Sequence, residues 1–232
     1  MQEKEIKSII KGYYKHLSFI TFETIKGFSK NFDVTKNIII KNYEIIDFLY
    51  KNYNSVIGVL GHYGNWEWAG LAAGKMLNFK TIIFYKPLSN KVIDKYLIKL
   101  RSKTGCKLVS IYETNKVFEK YYLQKSFFVM VADQSPSNLK KVVWVNFLNK
   151  NTPCIYGPEF YAIKYNLPII YVRIYRLTKG KYQISFDIIS LEPQKEKPHY
   201  ITQKFFQLLE NDIIKDPSQW LWSHKRWKHL KN

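Results

Sequence analysis

The feature that most restricts this fold is a series of short apolar runs set apart by longer stretches with helical spacing. Residues 55–60 and 126–132 show no polar alternation, the pattern of a strand covered on both faces. Residues 81–85 and 107–111 are further strand candidates, with a short one at 37–41 and another at 142–147. Helical periodicity occupies 3–29, 43–51, 66–77, 91–104, 114–124, 159–165 and 201–214. Strands joined through helices of ten or more residues pair in parallel, because only such a crossover brings the chain back to the same end of a sheet. Residues 168–176 and 182–189 flank Lys179-Gly180-Lys181 and predict a hairpin forming an antiparallel edge. The expected fold is α/β: a single domain, with a central mostly parallel β-sheet and helices on both faces.

Composition narrows the function. A length of 232 residues with 46% hydrophobic content supplies one sizeable core and excludes disorder as the main state. Cys106 and Cys154 stand far apart, so neither a disulfide framework nor a metal cluster is expected, and a reducing compartment is the simpler reading. The net charge is +19, and all but four of the 37 basic residues are lysine. Two readings of that charge stay open: a solvated surface, or attraction to a polyanion such as nucleic acid, an anionic membrane or an acidic carrier protein. No apolar run reaches the roughly 20 residues of a membrane-spanning helix, and the first residues carry no signal-peptide core. The chain as given is expected neither to be exported nor to span a bilayer. Its first helix sets Ile6, Ile9, Ile10, Tyr13, Leu17 and Ile20 on one stripe, with Lys4, Lys7, Lys11 and Lys15 largely elsewhere. That pattern suits packing on a sheet or lying in a membrane interface.

Chemistry concentrates in Gly61-His-Tyr-Gly-Asn-Trp-Glu-Trp68, which follows a buried strand and opens a helix, where α/β sheets place ligands. On one continuous helix His62 and Glu67 would point about 140° apart. With Gly64 breaking the geometry and Asn65 as N-cap, His62 falls in the loop and Glu67 in the first turn, so the two are expected to meet. A carboxylate on one imidazole nitrogen leaves the other free to take a proton from a hydroxyl. The bland alternative is a packing histidine and a glutamate complementing the helix dipole.

The whole string resembles the signature of the bacterial lipid A biosynthesis acyltransferases, within the glycerolipid acyltransferase superfamily with its His-x4-Asp/Glu motif. Tyr85-Lys86-Pro87-Leu88 with Asn90, Arg101 and Gly105 is similar to a second family block, and Ala132-Asp133-Gln134 to a third. Phe147–Thr152 with Gly157 and Pro217–Trp227 resemble two more, so the likeness covers nearly the whole chain. Lys86 stands where the family usually has arginine and Asn149 where it has glycine. Members usually begin with some 60 further residues bearing a membrane helix; here residues 1–232 are read as the acyltransferase domain alone.

The resemblance implies a glycerolipid acyltransferase-like fold and transfer of a fatty acyl chain from acyl carrier protein to a hydroxyl of a lipid A precursor. His62 is then the general base and Glu67 its orienter, with backbone N–H groups near the helix start stabilising the oxyanion. Asn65, Lys86, Asn90, Arg101, Asp133 and Gln134 are candidate substrate-binding residues; no metal or cofactor is implied. Asp133 is expected beside the His62 loop, with a helix-cap role as its alternative, and Arg101 reads equally as a surface charge. Trp220, Trp222 and Trp227 read as core or as a lipid-interface cluster. The implied location is the cytoplasmic face of the cell inner membrane, held peripherally on an anionic membrane surface. Two rivals stand: the same fold with another lipid acceptor (a lysophospholipid, an aminolipid or an aryl-polyene product), and a non-catalytic basic binding protein. Tyr112, Tyr121 and Tyr122 interleave with lysines, yet no recognition motif accompanies them, so no nucleic acid is expected.

Overall fold

The computed structural model describes residues 3–229. In chain order the elements are α1 (Glu3–Phe28), β1 (Ile38–Ile40), α2 (Tyr43–Asn52), β2 (Ser55–Leu60), α3 (Trp66–Met76), β3 (Lys80–Tyr85), α4 (Lys91–Ser102) and β4 (Lys107–Ser110). There follow α5 (Thr114–Tyr121), β5 (Ser126–Val131), β6 (Val142–Phe147), β7 (Lys150–Ile155), α6 (Gly157–Tyr165), β8 (Ile169–Thr178), β9 (Lys181–Ser190) and α7 (Tyr200–Lys215). Seven strands form one sheet in the order β1-β9-β8-β2-β5-β3-β4. Every pairing in it is parallel except β8 with β9. The expected α/β architecture is what the chain adopts.

The two apolar runs without alternation, β2 and β5, lie side by side at the centre. Their residues divide between two cores, one on each sheet face. Ile57, Val59 and Phe128 pack with Phe118 of α5, Ala162 of α6 and Phe206 and Leu209 of α7. Val56, Leu60, Phe127 and Val129 pack with Ile46 and Leu49 of α2 and Trp68 and Leu71 of α3. Burying each such side chain stabilises the fold by about 1.5–3 kcal/mol before the entropy of ordering is set against it. Helix α1 presses Tyr13, His16, Ile20 and Glu23 inward and leaves Ile6, Ile10, Phe22 and Ile25 exposed. Among the described residues, no helix is long and apolar enough to cross a membrane.

The hairpin of β8 and β9 forms as expected but is not the edge of the sheet. β1 covers it, pairing in parallel through Ile38 with Tyr182 and Ile40 with Ile184. Only three residues do this, which is why a run of isoleucines so short gave a weak signal. Strand β7 went unseen because Lys150-Asn151-Thr152-Pro153 is polar and contains proline, which strands tolerate chiefly at edges. It pairs only with β6, in a separate two-stranded sheet. The connecting Leu148 and Asn149 both take positive φ, 51° and 60°. Asn149 is among the residue types that enter this region most readily, which explains how it stands at a position suited to glycine.

After β2 the chain crosses to β3 on the far side of β5, whereas after β5 it returns to β8 on the near side of β2. The connections therefore diverge between β2 and β5. In such sheets the strands' carboxyl ends at this point are the usual ligand position.

Candidate active site

Beyond Leu60 the chain makes a loop that few sequences permit. A Cβ on Gly61 would lie 2.8 Å from Leu209 Cδ1. Gly64 has φ +64°, and a Cβ there would lie 2.7 Å from the Ile174 carbonyl oxygen. Asn65 then caps α3, its side-chain oxygen accepting the Trp68 N–H at 2.9 Å. The far end of the sequence holds the loop closed. The Leu221 N–H donates to the His62 carbonyl at 3.0 Å and the Gly64 N–H to the Gln219 carbonyl at 3.1 Å, so residues 219–221 run antiparallel beside the loop. The Tyr63 hydroxyl reaches the carbonyls of Asp212 and Asp216 at 3.0 and 3.1 Å.

Register explains which carboxylate meets His62. In the β2–β5 pairing Leu60 lies opposite Val131, and the Ala132 N–H still donates to the Leu60 carbonyl at 3.0 Å. Two residues past those partners come His62 and Asp133. Asp133 Oδ1 stands 2.6 Å from His62 Nδ1, and Oδ2 accepts the His62 backbone N–H at 3.0 Å. The Trp220 indole N–H adds a bond to Oδ2 at 2.8 Å. Burial alone would push the Asp133 carboxyl up, but the His62 charge and these hydrogen bonds outweigh it and hold the group below the ordinary aspartate value. Burial pulls His62 down, yet the Asp133 charge and hydrogen bond, with a smaller share from Glu67, set it above the ordinary histidine value. An ionised Asp133 accepts from Nδ1–H, which leaves a lone pair on His62 Nε2. The His62 side chain is 18% exposed, so it is not sealed within the core. The Trp66 ring lies edge-on to the imidazole at 5.1 Å between centroids.

The expected pairing of His62 with Glu67 is therefore corrected. Glu67 lies in the first turn of α3 as the spacing requires, but its carboxylate is taken by Arg101 of α4. Arg101 Nε donates to Oε2 at 2.9 Å and Nη2 to Oε1 at 2.5 Å, a bidentate fork that outcompetes one imidazole contact. Arg101 is thus no isolated surface charge. Asn65 is not placed to bind substrate: it is 1% exposed, and its amide donates to Glu23 at 2.8 Å while its oxygen caps α3. Asn90 is likewise committed to a cap, accepting the Val92 and Ile93 N–H groups at the start of α4. Lys86 is exposed in the loop after β3. Gln134 does join the centre, its Nε2 3.5 Å from His62 Nε2.

Two contributors were not legible as such. Trp220 is 2% exposed and belongs to the core, as one of its two readings had it, but its indole N–H also fixes Asp133. A buried tryptophan needs an acceptor, and that need was the available signal. His224 accepts the Ser135 N–H on Nε2 at 2.9 Å, and burial lowers its basicity, so it is neutral in this bond. Cys106 and Cys154 are buried and unpaired, and burial pushes their thiols up to about 11 and about 12, away from nucleophilic use.

At the carboxyl ends of β2 and β5 stands an imidazole whose Nδ1 is held by Asp133. Among the described residues no serine or cysteine side chain is hydrogen-bonded to it, and in the first turn of α3 a glutamate is paired with Arg101. The arrangement suits deprotonation of a hydroxyl that the substrate itself brings. The family model described as bacterial lipid A biosynthesis acyltransferase matches residues 1–229. No curated protein matches the chain.

Proposed function

The chain belongs to the bacterial lipid A biosynthesis acyltransferase family, and from that premise we propose that it moves a fatty acyl chain from acyl carrier protein to a hydroxyl of a lipid A precursor. The observation that carries the mechanism is the His62–Asp133 pair, 2.6 Å apart, with Nε2 facing only the long contact to Gln134 among its hydrogen bonds. Asp133 is the orienter in this reading, and His62 is the general base. The acceptor hydroxyl attacks the thioester carbonyl as its proton passes to Nε2, and the thiolate that departs takes that proton back. A base so placed contributes roughly 10²–10⁴ in rate.

Glu67 and Arg101 act beside this pair. Arg101 spends Nε and Nη2 on Glu67, which leaves Nη1 to meet an anionic group of the acceptor. Glu67→Gln is expected to reduce transfer severely by loosening that arginine. It should leave the acid limb of the pH profile nearly in place, because Glu67 gives only the smaller share of the upward pull on His62. A large displacement of that limb in the variant would instead make Glu67 the orienter.

The +19 charge supports an acidic donor carrier and peripheral attachment at the cytoplasmic face of the inner membrane. KM for acyl carrier protein, and co-sedimentation with anionic vesicles, are both expected to weaken steeply between low and physiological salt. A KM indifferent to salt would remove the charge argument for the carrier.

A further inference from the structure

We infer that the side-chain amide of Gln134 donates the hydrogen bond that stabilises the oxyanion formed on the thioester carbonyl, an inference that rests on the acyltransferase reading above. Its starting point is the 3.5 Å between Gln134 Nε2 and His62 Nε2. Because Asp133 occupies Nδ1, the facing nitrogen of His62 is a lone pair, and it selects the N–H side of the carboxamide. An acceptor hydroxyl must come within about 3 Å of the same lone pair to be deprotonated. Once it does, the amide loses its acceptor, and its N–H is left facing the atoms that react.

Position and rigidity both favour this donor. Gln134 sits between two pinned residues: Asp133, held by His62 and Trp220, and Ser135, whose N–H is tied to His224. Its backbone is thereby held on both sides, which limits the reorganisation its amide needs during the reaction. The neighbouring backbone donors are mostly spent. The N–H of His62 goes to Asp133, that of Tyr63 to the Gly61 carbonyl, that of Gly64 to the Gln219 carbonyl and that of Trp68 to Asn65. The expected oxyanion donors near the helix start are thereby reduced to the groups between Gly64 and Trp68.

The step balances without a co-reactant. The hydroxyl oxygen bonds to the carbonyl carbon, the π pair moves to the carbonyl oxygen, and the proton goes to His62 Nε2. Collapse of the intermediate restores the carbonyl and breaks the C–S bond, and the thiolate takes the proton. Gln134 loses no proton; it donates a hydrogen bond to the oxygen while that oxygen is charged.

The test uses the full chain with a lauroyl thioester of acyl carrier protein and a lipid A precursor as probe acceptor. Gln134→Ala is expected to lower kcat by about 10²–10³-fold with KM for both substrates little changed. Its acid limb should also move to higher pH, since neutral His62 loses a hydrogen-bond donor, a change that a merely structural role would not produce. Gln134→Glu should be slower still, because a carboxylate repels the oxyanion. A wild-type-like kcat in Gln134→Ala would assign the oxyanion to the helix-start N–H groups, and an effect confined to KM would make Gln134 a ground-state contact; either overturns the inference. His62→Ala run alongside separates the two levels. Near-wild-type transfer by it sinks His62 as the base, and a wild-type chain inert with this donor and acceptor sinks the proposed reaction. A strongly impaired His62→Ala with an unaffected Gln134→Ala sinks only the role of Gln134.

Discussion

Acyl transfer by His62→Ala is expected to fall about 10³–10⁴-fold, toward the limit of what a positioned base supplies, with the fold retained. The loop at residue 62 is held by backbone bonds that alanine keeps: its N–H to Asp133 and its carbonyl to the Leu221 N–H. Turnover by the purified variant near that of wild type would exclude His62 as the base. In the wild type, kcat/KM should decline as pH falls through the folded value of His62, which lies above the ordinary 6.5. The stability due to the pair runs the other way. His62, raised on folding, contributes stability that is complete below 6.5 and lost as pH rises through its folded value. Asp133, lowered on folding, contributes stability that is complete above 3.8 and lost as pH falls through its own. The ion pair thus stabilises most between 3.8 and 6.5, where the base is protonated and transfer is slow. Activity rises as that stabilisation declines.

The second large effect is expected for Asp133→Asn, a change of one atom. The amide oxygen can still accept the Trp220 and His62 N–H groups, so the packing survives. The amide nitrogen then faces His62 Nδ1 and donates to it, which moves the imidazole proton to Nε2 and removes the lone pair that does the work. Loss of about 10³–10⁴-fold in kcat follows from a wrong tautomer of this kind. Asp133→Ala should add instability of about 1–3 kcal/mol for each buried N–H left without an acceptor. Thermal unfolding of the two variants distinguishes these effects: asparagine should melt near wild type and alanine well below it. If Asp133→Asn transfers acyl groups at the wild-type rate, the orienting role fails.

Much of the fold was legible because apolar runs and helical spacing are local properties. β2 and β5 stand out for having no polar face, and they have none because helices cover both. The segment from Gly61 to Trp68 was legible through the glycines its loop requires. The partner of His62 was misread because spacing along one helix says which side chains can meet there and nothing about a neighbouring strand. Asp133 is adjacent through strand register, and the available clue was that the runs ending at Leu60 and Val131 each stop two residues before a titratable side chain. Asn65 and Asn90 entered the ligand set through the family resemblance; the cap read for Asn65 from the sequence forms with Trp68, and Asn90 likewise caps Val92 and Ile93.

The antiparallel contact between residues 219–221 and the His62 loop ties a late part of the chain to the site. Trp220 reaches back 87 residues to Asp133, and the Asp216 carbonyl receives the Tyr63 hydroxyl across 153. Contacts so distant require closure of long chain loops, as do the sheet pairings of β1 with β9 and β2 with β8. The pairing of β2 with β5 brings His62 and Asp133 together, and the last segment adds the loop's backbone bonds and the indole on the carboxylate. Residues 219–221 therefore serve two ends at once, so a change that loosens them is expected to disturb the core and the setting of Asp133 together.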